Sequence, residues 1–208
     1  KTKKAFLVRD NFGQKPLYFS IKKNFLCFAS ELKAIKKHPR IKFKVNKFSI
    51  NHFLNYSYIS APNTIYEDVN QLEPGSYLKL SYDELNYFDE SQHFKKQKIL
   101  NYKRWWIPKR ENIFIKNKED NLNEYLNLLF SSMDQFMQSD VSVGTFLSGG
   151  IDSALVTSIC SKISKSKIST FTVGFKIKNY DETNIAKNVS KILSTNHHEI
   201  FLSDKDIL

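Results

Sequence analysis

The stretch Leu147-Ser148-Gly149-Gly150-Ile151-Asp152-Ser153 lies between a short apolar run, 141–147, and a helical pattern of apolar residues over 152–163. The apolar run predicts a strand and the pattern predicts a helix. Glycine has no Cβ, so the two glycines let the main chain turn tightly and approach a ligand. We therefore expect a strand–loop–helix unit, and open α/β sheets bind ligands at the carboxyl ends of their strands.

The same loop has the chemistry of a phosphate site. Its backbone N–H groups and the positive end of the following helix would point at an anion. Ser148 and Ser153 add hydroxyl donors, and Asp152 would hold a magnesium ion that bridges to phosphate oxygens. The structural alternative is a Gly-Gly turn with a Ser/Asp helix cap. Ser-Gly-Gly-x-Asp-Ser in this context favours phosphate binding, and the Gly-Lys-Ser/Thr ending of a Walker loop is absent.

The periodicity around the loop extends the same architecture. Apolar residues recur at helical spacing over 121–137 and 181–193, a strand rich in β-branched residues is predicted at 168–175, and 197–202 begins a further strand. Strands that alternate with helices at this spacing predict an open parallel sheet with right-handed crossovers.

The first ninety residues show a different pattern of strands and turns. The segment 5–8 predicts a buried strand, 17–21 and 25–28 predict a hairpin, and 77–80 with 85–88 predict a closing strand pair. From 91 to 118 the pattern becomes polar and irregular, which is typical of a linker. We therefore predict a domain at 1–90, a linker at 91–118 and a second domain at 119–208.

Composition limits the class of protein. The 208 residues are 41% hydrophobic, which fits one or two folded domains, and no apolar run is long enough to cross a membrane. The chain begins with Lys1, and Leu208 directly follows a predicted strand, so we expect a piece of a longer protein. Cys27 and Cys160 have neither disulfide nor metal spacing, which is typical of reduced cysteines in a cytoplasmic protein.

The net charge of +11 raises the question of a nucleic-acid partner. Only four of the 32 Lys and Arg residues are Arg, whereas readers of bases and phosphates usually rely on arginine. The lysines are scattered along the chain without a dense tract. We therefore expect a solvated lysine-rich surface, with no nucleic-acid partner and no membrane partner.

The loop resembles the pyrophosphate-binding loop of the ATP-pyrophosphatase superfamily, which splits ATP into AMP and pyrophosphate. Ser139-Asp140-Val141-Ser142-Val143-Gly144 before it resembles the approach to this loop in glutamine-dependent asparagine synthetases. Further blocks follow that family's order at 170–175, 180–182 and 195–199. Upstream blocks resemble the later part of its glutaminase domain at 9–18, 28–34 and 72–78. The chain is identified by resemblance as a member of the glutamine-hydrolysing asparagine synthetase family.

This resemblance implies a fold and a reaction. The fold would be the C-terminal part of an N-terminal-nucleophile-type αββα amidotransferase domain, followed by the start of a parallel-sheet ATP-pyrophosphatase domain. The partners would be aspartate, glutamine and ATP, with Mg²⁺. The β-carboxylate of aspartate would attack the α-phosphorus of ATP, and ammonia from glutamine would displace AMP from β-aspartyl-AMP. The resemblance leaves a homodimer open.

Roles carry over to the matching positions only. Ser148, Gly149, Gly150, Asp152 and Ser153 would hold the ATP phosphates, and Asp152 would also ligate magnesium. By the same resemblance, main-chain atoms of Leu147 and Val173 would recognise the adenine.

The resemblance places other functional parts outside the chain. The nucleophilic cysteine belongs upstream of Lys1, so neither Cys27 nor Cys160 is assigned to it and no catalytic residue is predicted here. A second acidic, glycine-rich segment belongs beyond Leu208. We expect the 208 residues alone to be inactive.

Weaker candidates have structural readings. Asp181 and Glu182 could approach the metal or substrate, but acids at a helix N-terminus are also favoured by the helix dipole. His197 and His198 are adjacent on a predicted strand and would point to opposite faces, which argues against a shared metal ion. Arg9 and Asp10 are interpreted as a structural ion pair.

Three alternatives stay open. One is a paralogue that amidates another carboxylate. Another is a tRNA-modifying or NAD-forming member of the superfamily, which the amidotransferase-like first half disfavours. The third is a nucleotide-binding remnant without catalysis.

Overall fold

The computed structural model describes residues 3–86, 101–109, 117–175 and 181–203. The chain divides into two compact units, Lys1–Glu111 and Asn112–Leu208. Within the described ranges, no helix is both long and apolar enough to span a bilayer.

The first unit contains two three-stranded antiparallel sheets, ordered β1-β5-β6 and β3-β2-β4. Its elements are β1 (Lys4–Val8), β2 (Tyr18–Lys22), β3 (Phe25–Ala29), α1 (Leu32–Lys36), α2 (Lys47–Tyr56), β4 (Asn70–Gln71), β5 (Ser76–Ser81), α3 (Tyr82–Asn86) and β6 (Asn101–Arg104). Strands β2 and β3 pair with Ser20 opposite Cys27, so the predicted hairpin is confirmed.

An apolar cluster joins the two sheets of this unit. Leu7 and Leu78 come from the first sheet and Phe19 and Ile21 from the second, and all belong to one buried cluster. Because each side chain of this size contributes about 1.5–3 kcal/mol when it leaves water, the cluster holds the sheets face to face.

One predicted strand is wrong. The segment 85–88 was expected to pair with β5, but Leu85 and Asn86 end helix α3, and 87–88 lie outside the described residues. Ser81 and Glu84 form a capping box: Glu84 N–H donates to Ser81 Oγ at 3.2 Å, and Ser81 N–H donates to Glu84 Oε2 at 2.6 Å. Ser-x-x-Glu is a helix-start signal that outweighs the short apolar run after it.

The segment predicted as a linker, 91–118, contains part of the first sheet. Strand β6 lies inside it and pairs with β5, and the N–H groups of Trp105 and Trp106 both donate to the carbonyl of Gly75. Trp106 also packs edge-on against Phe12, with ring centroids 4.9 Å apart. The stretches 91–100 and 110–116 lie outside the described residues, so the domain limits stay a prediction.

Arg9 and Asp10 order the turn after β1, but not as the predicted ion pair. The guanidinium of Arg9, a buried residue, donates to the carbonyls of Lys15, Leu72 and Gly13 at 3.0, 2.5 and 2.9 Å. Asp10 accepts backbone N–H groups instead. The planar fork of arginine can satisfy several carbonyls at once, so the two charges serve separate parts of the turn.

The second unit is a parallel sheet with helices, as predicted. Its elements are α4 (Lys118–Phe136), β7 (Gly144–Phe146), α5 (Ile151–Ile163), β8 (Ser169–Phe175), α6 (Thr183–Ile192) and β9 (Asn196–Leu202). The strands run parallel in the order β7-β8-β9, with Phe146, Phe171 and His198 in register. The carboxyl ends of all three strands therefore meet at one edge, where the loop of interest begins.

The buried face of α6 is not formed by its large apolar residues. Ile185 and Ile192 are exposed, whereas Thr183, Ala186 and Ser190 are buried. Helix α6 lies against β8 and β9 through this face of small residues. In α5, by contrast, Ile159 and Cys160 are buried, although Val156 is exposed.

Candidate functional site

The loop begins at Leu147, which is fixed to the neighbouring strand by its main chain. The N–H of Leu147 donates to the carbonyl of Phe171 at 2.9 Å. The carbonyl of Leu147 accepts the hydroxyl of Thr172 at 2.5 Å. Leu147 and Thr172 are both buried, so the point where the chain leaves β7 is anchored inside the sheet.

Two serine hydroxyls close the loop on itself. Ser148 Oγ and Ser153 Oγ lie 2.9 Å apart. The N–H of Ser148 donates to Ser153 Oγ at 3.1 Å, and the N–H of Gly150 donates to Ser148 Oγ at 3.1 Å. Both hydroxyls therefore lie among the backbone N–H groups of the loop.

Neither glycine of the loop has a positive φ, so the tight turn predicted from the sequence does not use the left-handed conformation. Gly150 has extended backbone, with φ −82° and ψ 151°, and occupies the N-cap position of α5. Gly149 also has no positive φ. A Cβ at Gly149 would lie 3.1 Å from Cβ of Glu182 and 3.3 Å from Cδ1 of Ile185. The close approach of α6 therefore leaves little room for a side chain at position 149.

The backbone donors of the loop are held by acceptors that a ligand can replace. The N–H groups of Ser148 and Gly150 donate to serine hydroxyls, and that of Gly149 donates to Glu182 Oε2 at 2.9 Å. Helix α5 starts directly behind them, so its positive end adds to the field at the loop. Together these groups can bind an anion the size of a phosphate.

Asp152 fits the predicted metal role in part. Asp152 is exposed and lies in the first turn of α5, beside the N–H and hydroxyl groups of the loop. Within the described ranges, no group of three or more His, Cys, Asp or Glu side chains could enclose a metal ion. Magnesium often binds through one or two carboxylates and several phosphate oxygens. The donor set therefore fits a magnesium ion that arrives with a nucleotide.

Leu147 and Val173 lie at the same edge of the sheet. Val173 follows Thr172 on β8, and the Thr172 hydroxyl contacts Leu147. The N–H of Leu147 already donates to the carbonyl of Phe171. Because a carbonyl has two lone pairs, the carbonyl of Leu147 can accept a second hydrogen bond beside the one from Thr172.

The three remaining candidate residues, Asp181, His197 and His198, make different contacts. Asp181 caps α6, accepting the N–H of Thr183 at 3.3 Å and the Thr183 hydroxyl at 3.0 Å. The ring of His197 contacts the hydroxyl of Thr170 at 3.0 Å, whereas that of His198 stacks on Phe171. The two histidines thus lie on opposite faces of the strand, as predicted.

Both cysteines are free thiols, as expected. Burial raises the pKa of Cys27 and of Cys160. A raised pKa leaves less thiolate at neutral pH, so neither side chain has the character of an activated nucleophile.

Sequence reasoning missed two parts of this site. Thr172 is a β-branched residue in a strand, and nothing in the pattern of β8 marks it as an anchor of the loop. Glu182 was named as a helix-end acid, but its contact with Gly149 joins positions 33 residues apart. Only the packing of α6 against the loop reveals that contact.

Comparison with known proteins finds matches in both units. A family model described as asparagine synthase matches residues 124–208, and one described as a glutamine amidotransferase domain matches residues 1–94. The first includes the whole loop and the sheet edge around it. The second includes the two antiparallel sheets up to α3.

Curated relatives match across both units. Glutamine-hydrolysing asparagine synthetases 1 and 2 of Bacillus subtilis (strain 168) are 30% and 35% identical, over 89% and 82% of this chain and 28% and 22% of their own lengths. A Methanocaldococcus jannaschii protein, provisionally named as a synthetase of the same kind, is 33% identical over 97% of this chain. The chain spans 37% of the length of that relative.

Proposed function

The chain belongs to the glutamine-hydrolysing asparagine synthetase family, and from this premise we propose that it is part of an enzyme that amidates aspartate at the expense of ATP. In this reaction ATP is cleaved to AMP and pyrophosphate, and glutamine supplies the ammonia. The observation that carries the proposal is the loop 147–153. Its amide and hydroxyl donors lie at the carboxyl edge of a parallel sheet, and a family model for each half-reaction covers the corresponding unit.

The first unit supports a glutaminase half. Two antiparallel sheets packed through one apolar cluster fit the central layers of an αββα amidotransferase domain, and we assign residues 1–90 to its C-terminal part. The glutamine-cleaving nucleophile is assigned to a segment outside this chain, as the family resemblance implies, and the raised pKa values of the Cys27 and Cys160 thiols are consistent with this assignment.

The second unit supports the ATP-cleaving half. We assign the phosphates of ATP to the loop: Ser148, Gly149, Gly150 and Ser153 donate to phosphate oxygens from their N–H or hydroxyl groups. Asp152 would hold magnesium, which supplies positive charge to the departing pyrophosphate. The dipole of α5 adds to this stabilisation.

The adenine is assigned to the same edge of the sheet. The carbonyl of Leu147 would accept a hydrogen bond from the adenine amino group, while Thr172 keeps that carbonyl in place. The main chain of Val173 would contact the other side of the base. Residues 119–208 would thus form the start of an ATP-pyrophosphatase domain.

The proposed reaction runs in two steps. The β-carboxylate of aspartate attacks the α-phosphorus of ATP, forming β-aspartyl-AMP and releasing pyrophosphate. Ammonia from glutamine then attacks the activated carbonyl and AMP leaves, which gives asparagine. Exclusion of water protects the acyl adenylate from hydrolysis between the steps. We place the reaction in the cytoplasm, where free thiols such as Cys160 stay reduced.

A direct test measures pyrophosphate release by the full-length protein that contains these residues. The assay supplies ATP, Mg²⁺ and one carboxylate at a time from a panel that includes aspartate and glutamate. We expect release that depends on aspartate, with asparagine formed when glutamine is added.

Other results of this assay would replace the proposal. Release stimulated only by another carboxylate would identify a paralogous amidotransferase with a different acceptor. Absence of release with every carboxylate, while ATP still binds, would identify a nucleotide-binding protein without catalysis.

A further inference from the structure

Glu182 places a negative charge on the loop. The N–H of Gly149 donates to Glu182 Oε2 at 2.9 Å. The N–H groups of Ser148 and Gly150 donate to neutral hydroxyls instead. A hydrogen bond to a carboxylate is about twice as strong as one to a neutral acceptor, so Glu182 is the strongest of the three internal occupants.

Helix capping does not explain this position of the side chain. Glu182 is the N-cap residue of α6, yet its side chain makes no capping hydrogen bond. Asp181 caps the helix instead, because its carboxylate accepts the backbone N–H and the hydroxyl of Thr183. The side chain of Glu182 therefore does not cap its own helix, and it reaches across to the loop.

The carboxylate competes for the place of an anion. A phosphate bound in the loop would use the N–H of Gly149, and two anions cannot share that donor. We propose that Glu182 is an intramolecular occupant of the phosphate loop, which holds the Gly149 N–H in the ligand-free protein and leaves when a phosphate takes its place. This inference rests on the proposed function, since it assumes that the loop binds phosphate.

The surroundings allow such a release. Glu182 is an exposed residue, so its carboxylate can return to water at small cost. Its Cβ packs near Gly149, which fixes the start of the side chain. Release therefore needs only rotation of the bonds beyond Cβ, and the loop backbone keeps its shape. Phosphate affinity is lowered by the fraction of molecules in which Glu182 occupies the donor.

The test compares binding of inorganic pyrophosphate with Mg²⁺ to the full-length protein and its variants by calorimetry. Glu182→Gln keeps the size and an acceptor oxygen but removes the charge. We expect its Kd for pyrophosphate to fall about three- to tenfold. The matched control, Asp181→Asn, removes the same charge one residue away and keeps the helix cap, so its Kd should stay within about twofold of wild type.

The outcomes separate this inference from the proposed function. If the wild-type protein binds pyrophosphate and Glu182→Gln binds it equally or more weakly, the occupant role is wrong and the phosphate loop stands. If neither protein binds pyrophosphate, both proposals fail. Glu182→Ala provides a second check, because it must also bind more tightly than wild type. If the Kd of Asp181→Asn for pyrophosphate falls by the same factor, the effect comes from the loss of any nearby negative charge, and the specific role of Glu182 is wrong.

Discussion

The hydroxyl of Thr172 donates to the carbonyl of Leu147 at 2.5 Å, between two residues buried in adjacent strands. This bond ties β8 to the residue from which the loop 147–153 departs. Because it is buried, it is not exchanged for water in the folded protein, and its loss would leave a carbonyl short of one partner. The position of the loop therefore depends on a side chain outside the loop.

Thr172→Val removes this bond while the side chain keeps its shape. We expect the full-length protein to lose about 1–2 kcal/mol of folding free energy, measured by urea unfolding, and to bind ATP more weakly. Thr157→Val is the control, because the buried Thr157 hydroxyl contacts Thr145 at 3.0 Å, away from the loop. The control should lose similar stability but keep its ATP affinity. Equal ATP affinity in both variants would contradict the anchoring role.

Gly149→Ala and Gly150→Ala form a matched pair. An added Cβ at position 149 meets Cβ of Glu182 at 3.1 Å, a rigid neighbour, whereas at 150 it meets only Ser148 Oγ at 3.2 Å, which can rotate. We expect Gly149→Ala to lower the thermal unfolding midpoint and to weaken ATP binding more than Gly150→Ala does. Equal effects of the two substitutions would show that α6 does not limit the loop.

Ser153 has the most connected side chain of the loop. Its hydroxyl contacts the N–H and the hydroxyl of Ser148 and the carbonyl of Gly150. Ser153→Ala should reduce kcat/KM for pyrophosphate release about tenfold or more, because one hydrogen bond to a charged group contributes about 1.5–3 kcal/mol. Ser158→Ala, further along the same helix, should change it less than twofold. A similar loss in both variants would assign the effect to α5 as a whole.

The hydrogen bonds that the Asp10 carboxylate accepts predict that the stability of the first unit depends on pH. Its carboxylate accepts the backbone N–H of Gln14, and those of Lys15 and Phe12 as well, and these bonds lower the pKa of Asp10 below its ordinary value of 3.8. A lowered pKa in the folded state contributes stability above about pH 4, and this contribution is lost as the pH falls through the folded pKa.

The measurement is urea unfolding of the full-length protein and of Asp10→Asn from pH 7 to pH 3. The difference in midpoint between the two should be largest near neutral pH and should shrink below pH 3.8. Asp83→Asn, at an exposed position in α3, is the control and should run parallel to wild type. A constant difference between wild type and Asp10→Asn across this range would remove the carboxylate as its cause.

The structure confirms most of the helices and strands that strong local patterns in the sequence predicted. The period of the apolar residues predicted helices α4 and α5 and the strands β7 and β8 within a few residues, because the period of 3.6 or 2 residues is a local property of the sequence. The segment 85–88 failed for the same kind of reason: a capping box formed by Ser81 and Glu84 is a local signal too, and it outweighed the pattern.

The loop residues also combine features that the sequence specified with features that it did not. The sequence of 147–153 specified the strand–loop–helix unit and its donors, since glycine, serine and a helix start are local properties. It did not specify why Gly149 must be glycine, nor which face of α6 is buried, because both depend on how α6 packs against the loop and the sheet.

By itself, then, the order of residues determined the parallel strands and the loop at their carboxyl ends, and it predicted the class of ligand that such a loop can take. Tertiary structure alone decided that Thr172 holds Leu147 and that Glu182 reaches Gly149. The physical reason is distance along the chain. These contacts join positions 25 and 33 residues apart, so no local pattern encodes them, and they form only when the strands and α6 assemble.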